Sequence, residues 1–259
     1  MVRQLGEGGM GQVFEGSGKG ESVAIKLMRR ELATRDEHRR RFRREVAAAA
    51  AAESAHVVAI VDSGEWEGIP YLVQPLIRGG SLKDRLDREG SLELSEAVRV
   101  CAEVGSGLSE LHRSGLIHRD VKPANVLISD ANVFMVSDFG LVKDPGASVL
   151  TTHGRTLGSP HYMAPEQIRG EEVVPATDVY SLACVSFECL TGRSPFADTS
   201  GLQTLWSHLR AEAPDACGID ETIPEGVGWA LTKAMAKEPG DRPATPHLLT
   251  QMLRTALES

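Results

Sequence analysis

Apolar positions along this chain change their spacing near residue 77. Upstream, they come in short β-branched or apolar runs at residues 12–15, 22–28, 57–61 and 71–76, bounded by turns that contain Gly or Ser. Each run predicts a strand, and a strand-like edge opens the chain before residue 6. One stretch differs: over residues 36–53, Phe42, Val46 and Ala49 recur at i, i+4 and i+7, the mark of an amphipathic helix. Downstream the period is helical, at residues 82–88, 95–114, 176–191, 201–211, 227–237 and 246–257, with Val98, Cys101, Ala102 and Leu108 on one face of the second. Between residues 141 and 165 the chain is irregular and rich in Ser, Thr and Gly. The change of period predicts an α+β chain in two lobes: residues 1–76 strand-rich, 77–81 a linker ending on Ser81 as a helix N-cap, and 82–259 mostly helical. No internal repeat is visible, and the alanines at 47–52 are the one low-complexity stretch.

Composition narrows the function classes. At 259 residues the chain can bury a substantial core, and 41% hydrophobic with 25% charged residues is ordinary for a soluble globular protein. A net charge of −8 argues against general affinity for nucleic acid or anionic membrane. The basic cluster Arg39, Arg40, Arg41, Arg43 and Arg44 lies in the helical pattern and is expected to be a solvated helix face. The four cysteines, Cys101, Cys184, Cys189 and Cys217, form no C-x-x-C pair and are expected as reduced thiols, mostly buried. No apolar run approaches the roughly 20 residues needed to span a bilayer, and no signal segment opens the chain. The chain reads as soluble, and as one that a longer protein can contain.

Candidate chemistry concentrates at residues 118–140. Asp120, Asn125 and Asp138 lie close together in sequence, and the runs 126–128 and 133–136, with a turn at 130–132, predict a hairpin that brings Asn125 beside Asp138. A carboxamide and carboxylates converging in this way suit a hard cation such as Mg²⁺ carrying phosphates. Gly6, Gly8 and Gly11 give G-x-G-x-x-G, a weak signal by itself. A dinucleotide fingerprint needs a helix at the third glycine. Here a strand follows instead, so the glycines read as a flap whose backbone N–H groups can approach phosphates. Lys26 lies inside a strand, where a charge needs a partner, and Glu45 beside the inward stripe of the first helix is the expected one.

Taken in order, the glycine flap, Val23-Ala24-Ile25-Lys26, Glu45, His118-Arg119-Asp120-Val121-Lys122-Pro123-Ala124-Asn125 and Asp138-Phe139-Gly140 resemble the motif set of a eukaryotic-type protein kinase. With Gly8-Gly9-Met10-Gly11 in the flap and Ser159-Pro160-His161-Tyr162-Met163-Ala164-Pro165-Glu166-Gln167 later, the chain is most similar to the bacterial Ser/Thr kinases of that type, from residue 5 to the final helix. The resemblance implies a two-lobed fold, a small antiparallel β lobe with one main helix and a larger helical lobe. It implies transfer of the γ-phosphate of Mg-ATP, with Mn²⁺ as an alternative ion, to protein Ser/Thr hydroxyls.

Site roles follow from the same resemblance. Lys26, held by Glu45, would neutralise the α- and β-phosphates under Gly6, Gly8 and Gly11. Asn125 and Asp138 would hold the metal ions, Asp120 would be the general base, and Lys122 would face the γ-phosphate, with Ser159 bridging Asp120 and Lys122. Leu5, Val13, Ala24 and Leu127 would sandwich adenine. Gln74 stands where the family usually has a large apolar gatekeeper, followed by the hinge residues Pro75, Leu76 and Ile77. Pro75 lacks an N–H but keeps the C=O that an adenine amino group needs. Glu166 with Arg242, and Asp178 under the catalytic loop, would be structural. Arg119 would bind a phosphorylated activation segment, with Thr151 and Thr152 the first candidates for the phosphate, then Thr156, and Ser148 nearby.

Implied partners are protein substrates and a second copy for trans-autophosphorylation, with no nucleic acid and no membrane segment in this chain. The implied location is the cytoplasm, or the cytoplasmic side of a membrane-anchored parent. The first strand starts closer to Gly6 than is usual in the family, so it is expected to be short or trimmed. Two other readings are an ATP-binding pseudokinase scaffold and a small-molecule phosphotransferase. The first is disfavoured because Lys26, Asp120, Asn125 and Asp138 are all present, the second by Ala164-Pro165-Glu166 and by Lys122 with Ser159.

Overall fold

A computed structural model describes residues 3–7, 11–18, 20–138, 160–197 and 201–258. Strands β1 (Arg3–Glu7), β2 (Gly11–Gly18) and β3 (Glu21–Met28) are followed by a short helix α1 (Arg30–Ala33) and the main helix α2 (Asp36–Ala50). Strands β4 (Asp62–Trp66) and β5 (Ile69–Pro75) complete the upper lobe. Then come α3 (Leu82–Glu89), α4 (Leu94–Arg113), the small strands β6 (Val126–Ile128) and β7 (Phe134–Val136), α5 (Pro165–Arg169), α6 (Pro175–Thr191), α7 (Leu202–Arg210), α8 (Glu225–Ala234) and α9 (Pro246–Leu257).

The upper sheet has the order β1-β2-β3-β5-β4, antiparallel throughout. One face is closed by α2: Phe42 and Val46 pack with Met28, Ala33, Ile69 and Leu72 in one core, while Ala49, a turn further on, joins the core of the helical lobe. The expected strand at 57–61 is not there; the strand is β4, which begins at Asp62 and is exposed along its whole length. The reason is where the apolar residues go. Val57 bridges Val136, Val58 donates its N–H to Val136 O (3.0 Å), and both valines are buried against the lower hairpin. An edge strand open on both faces needs no apolar alternation, so β4 carries none. Its hairpin to β5 turns on Glu67 and Gly68, both at positive φ (49° and 78°), which suits the right-handed twist of the flanking strands.

In the lower lobe α6 is the central element. Val179, Tyr180, Leu182, Ala183, Cys184, Val185, Phe187 and Cys189 are all fully buried, since neighbouring helices enclose the element. It is packed by α4, α8 and α9. Ser81 caps α3: its Oγ accepts the Asp84 N–H (3.1 Å) while Asp84 accepts the Ser81 N–H (2.8 Å), a reciprocal capping box. All four cysteines are free, with Cys101, Cys184 and Cys189 buried. Among the described residues no helix is long and apolar enough to cross a membrane.

Candidate active site

The lower hairpin sets the site. β6 and β7 pair Val126 with Val136, and Asn125, at the end of a 3₁₀ turn begun by Pro123, precedes β6 while Ser137 follows β7. Asn125 O accepts both the Ser137 N–H (2.8 Å) and its hydroxyl (3.1 Å), so the two ends of the hairpin are closed on each other just before Asp138. The Asn125 amide donates to Asp120 O (2.9 Å) and Asp120 Oδ2 (3.0 Å), and Lys122 Nζ donates to the same Oδ2 (2.8 Å). Asp120, Lys122 and Asn125 are therefore knit into one group. The Asn125 NH₂ is spent on Asp120, which leaves Oδ1 as its free ligand atom. With the Asp138 carboxylate this gives two hard oxygen donors, a fit to a small divalent cation that brings its own phosphate and water ligands.

Asp138 binds Lys26, which β3 presents opposite Val13 on one side and Leu72 on the other. This corrects the expected Lys26–Glu45 pair, which the structure does not form. Glu45 is buried, its Oε2 has no hydrogen-bond partner among the described residues, and the charges acting on it are those of Arg119, Arg41 and Arg44. Burial pushes its carboxyl above the ordinary range against the pull of those three guanidinium groups. The physical reason for the exchange is competition. Lys26 has a carboxylate at Asp138, and Glu45 lies in the field of three guanidinium groups.

The loop that carries His118 to Asp120 is held from below. Asp178, buried at the start of α6, accepts the His118 N–H (2.8 Å) and a His112 Nε2 bond (2.7 Å) on one oxygen, and the Arg119 N–H (2.9 Å) on the other. Burial alone would raise its carboxyl pKa, but these donors and the His112 charge hold it below the usual range. Burial lowers the pKa of His118. A neutral ring matches its contacts: Nε2–H faces Ser137 O (2.9 Å) and Nδ1 accepts the Asp120 N–H (3.2 Å). Arg119 and Asp138 both sit at positive φ (65° and 56°), a region L residues occupy only when their surroundings hold them there.

Glu166 and Arg242 form a buried bidentate pair, 2.8 Å at both oxygens, with Thr177 Oγ1 donating to Glu166 (2.7 Å). Of the residues expected around adenine, Val13, Ala24 and Leu127 are half-buried and Leu5 is exposed. Gln74 is buried and donates to Val58 O (3.2 Å), so its amide has a partner within the protein. Pro75 ends β5 opposite Val23, and Ile77 lies just beyond. Gly11 has a structural demand of its own: a Cβ there would lie 1.9 Å from Leu27 O, so β2 and β3 can pair only with glycine at that place. A Cβ on Gly6 would meet nothing. Gly8, Phe139, Gly140, Ser148, Thr151, Thr152, Thr156 and Ser159 lie outside the described residues.

Two contributors are not legible in the sequence. His112 on α4 is a lone histidine in a helix, with nothing local to tie it to Asp178. Gln167, which donates to Arg119 O (2.9 Å), belongs to no spacing rule; its one signal is its place after Glu166.

A family model for the protein kinase domain matches residues 1–254. The serine/threonine-protein kinase PrkC of Bacillus subtilis is 35% identical, over 100% of this chain and 40% of that protein. The serine/threonine-protein kinase PknH of Mycobacterium tuberculosis H37Rv is 38% identical, over 99% of this chain and 41% of the relative. A crystal structure of the M. tuberculosis PknI kinase domain superposes with a TM-score of 0.79 at 26% identity, covering 100% of this chain and 95% of that one. The chain spans less than half the length of these curated relatives.

Proposed function

The chain belongs to the protein kinase domain family, and from that premise we propose that it transfers the γ-phosphate of ATP to serine and threonine hydroxyls of proteins. The observation that carries the reading is the knot of Asp120, Lys122 and Asn125, bonded through Asn125 O to Ser137 beside Asp138, together with the ion pair that ties Asp138 to Lys26 of β3. Asp120 takes the proton of the attacking hydroxyl as general base, with Lys122 and Asn125 fixing the orientation of its carboxylate. Lys122 then lies where charge develops on the transferring group. Lys26 is the cation for the α- and β-phosphates, and β1 and β2, with Gly6 and Gly11 at their facing ends, lie over them. Gly8, outside the described residues, is assigned the same phosphate-covering role from the motif. Val13, Ala24 and Leu127, with Leu5 at the mouth, flank adenine, and Pro75 offers its C=O beside Ile77.

Asn125 Oδ1 and the Asp138 carboxylate are the ligands for the divalent ion that kinases use, Mg²⁺ in our reading with Mn²⁺ able to replace it. Held there, such an ion would supply positive charge to offset that of the nucleotide phosphates. We assign residues 1–76 to the upper lobe, 77–81 to the linker and 82–259 to the lower lobe. The acceptors are cytoplasmic proteins and a second copy of the chain, whose activation segment is modified at Thr151 or Thr152, then Thr156, with Arg119 receiving the phosphate. The acidic net charge supports the absence of nucleic acid from the partners.

One experiment tests this. The chain and its Asp120→Asn variant are incubated with labelled Mg-ATP and a generic protein acceptor, and the products are mapped by mass spectrometry. Transfer by the parent and none above background by the variant is expected, with phosphate between residues 141 and 160. Equal labelling by both would remove the catalytic assignment, and labelling confined to other segments would remove the regulatory one.

A further inference from the structure

We infer that Gln167 is a positioning residue of the transfer reaction, its one carboxamide tying the backbone that leads into the catalytic base to the backbone that leads out of the activation segment. Its Oε1 accepts the Ala164 N–H (3.1 Å) and its Nε2 donates to Arg119 O (2.9 Å). The first bond satisfies a donor that the start of α5 leaves without an intrahelical partner. The second fastens the residue immediately before Asp120.

Arg119 needs fastening. Its backbone is in the left-handed region (φ 65°), which a non-glycine residue keeps only when the surroundings over-determine it. The surroundings do so through two side chains: Asp178 takes the Arg119 N–H from α6 (2.9 Å), and Gln167 supplies the Arg119 C=O from α5. Both polar groups of the residue's backbone are thus held by helices of the lower lobe. The arm that carries Gln167 is itself rigid. Ala164 is fully buried, and Glu166, the residue before Gln167, is locked to Arg242 by two bonds of 2.8 Å. A rigid path therefore runs from Arg242 through Glu166 and Gln167 to Arg119 and Asp120, with Ala164 joined to it at the same carboxamide. Residues 160–163, which lead into Ala164, follow the activation segment, so one side chain sets the separation between that stretch and the base.

The inference rests on Asp120 as the base. Gln167→Glu is isosteric and keeps an acceptor for Ala164 N–H but turns an oxygen toward Arg119 O. Gln167→Met keeps the shape and removes both bonds. Each is compared with the parent for kcat, for KM of ATP and for Tm, with Asp120→Asn alongside. In both variants kcat should fall by about tenfold or more, since a misplacement of ~1 Å can cost ~100-fold. KM for ATP should stay within about twofold, because neither bond reaches the nucleotide side. A packing role would instead lower kcat only as the folded fraction falls. Parent-like kcat in folded Gln167→Glu, a kcat loss that follows Tm, or failure of both variants to fold would each overturn the inference. Activity retained by Asp120→Asn would instead overturn the base assignment, so the two failures are distinguishable.

Discussion

At the residue scale, the informative charge is Glu45. A carboxylate that is buried, held above its ordinary range and short of a hydrogen bond is not stabilising the fold in this arrangement. The sign follows from linkage. With a folded pKa above the unfolded 4.5, the folded state binds more protons than the unfolded one between the two values, so stability falls as pH rises through that window. Glu45→Gln removes the penalty. It is expected to be as stable as the parent at neutral pH or more so, with the difference vanishing below about pH 4. Urea midpoints across that range would show it, and a variant clearly less stable at neutral pH would mean that the three arginines outweigh the burial. The residue also marks a limit of sequence reading. A lysine in a strand and a glutamate on the following helix suggest each other, but which carboxylate the lysine reaches depends on how α2 is turned against the sheet. That turn is set by tertiary packing, with Phe42 and Val46 of α2 buried against Met28, Ile69 and Leu72, which no local period encodes.

At the scale of elements, β2 and β3 show a glycine with two roles. The flap pattern accounts for Gly11 by phosphate approach alone, whereas a Cβ at that position would stand 1.9 Å from Leu27 O, which makes glycine a condition of strand pairing. Gly11→Ala should push the strands apart and cost about 1–3 kcal/mol, while Gly6→Ala should stay within about 0.5 kcal/mol of the parent. Chemical denaturation separates the two, and equal stabilities would contradict the close approach. The same elements show what is legible. The helix at 246–257 and the strand at 126–128 fall where periodicity places them, because each buries one stripe or both faces in a core that filters the sequence. β4 escapes the pattern because an exposed edge strand is under no such filter, and the valines before it read as a strand because they are buried for another purpose. His112 and Gln167 escape it for a third reason: each acts through one hydrogen bond to a residue far off in sequence, which no local period encodes.

At the scale of the molecule, Arg242 is a side chain on which several separate pieces meet. Its guanidinium donates to Glu166 through both terminal nitrogens, to Ala176 O (3.0 Å) and Lys237 O (3.0 Å), and through Nε to Ala236 O (2.7 Å), while its face lies 4.9 Å from the Tyr180 ring centre. It thereby joins α5, α6 and the stretch just after α8, and through Gln167 the loop that carries Asp120. Arg242→Met leaves Glu166 buried with Thr177 as its remaining side-chain donor, so a loss of about 3–5 kcal/mol is expected near neutral pH. In the parent, burial would raise Glu166, but the Arg242 bonds and charge win and hold it below 4.5; its stabilising share is complete above that value and is lost as pH falls through the folded pKa. In the variant, burial prevails and the carboxyl rises, so the charged form becomes a growing penalty as pH climbs above 4.5. The two stability curves should therefore lie farthest apart at neutral pH and approach one another toward about pH 4. A gap that stays constant with pH would mean that lost packing on Tyr180 and lost bonds to the three carbonyls, rather than the Glu166 charge, account for what Arg242 contributes.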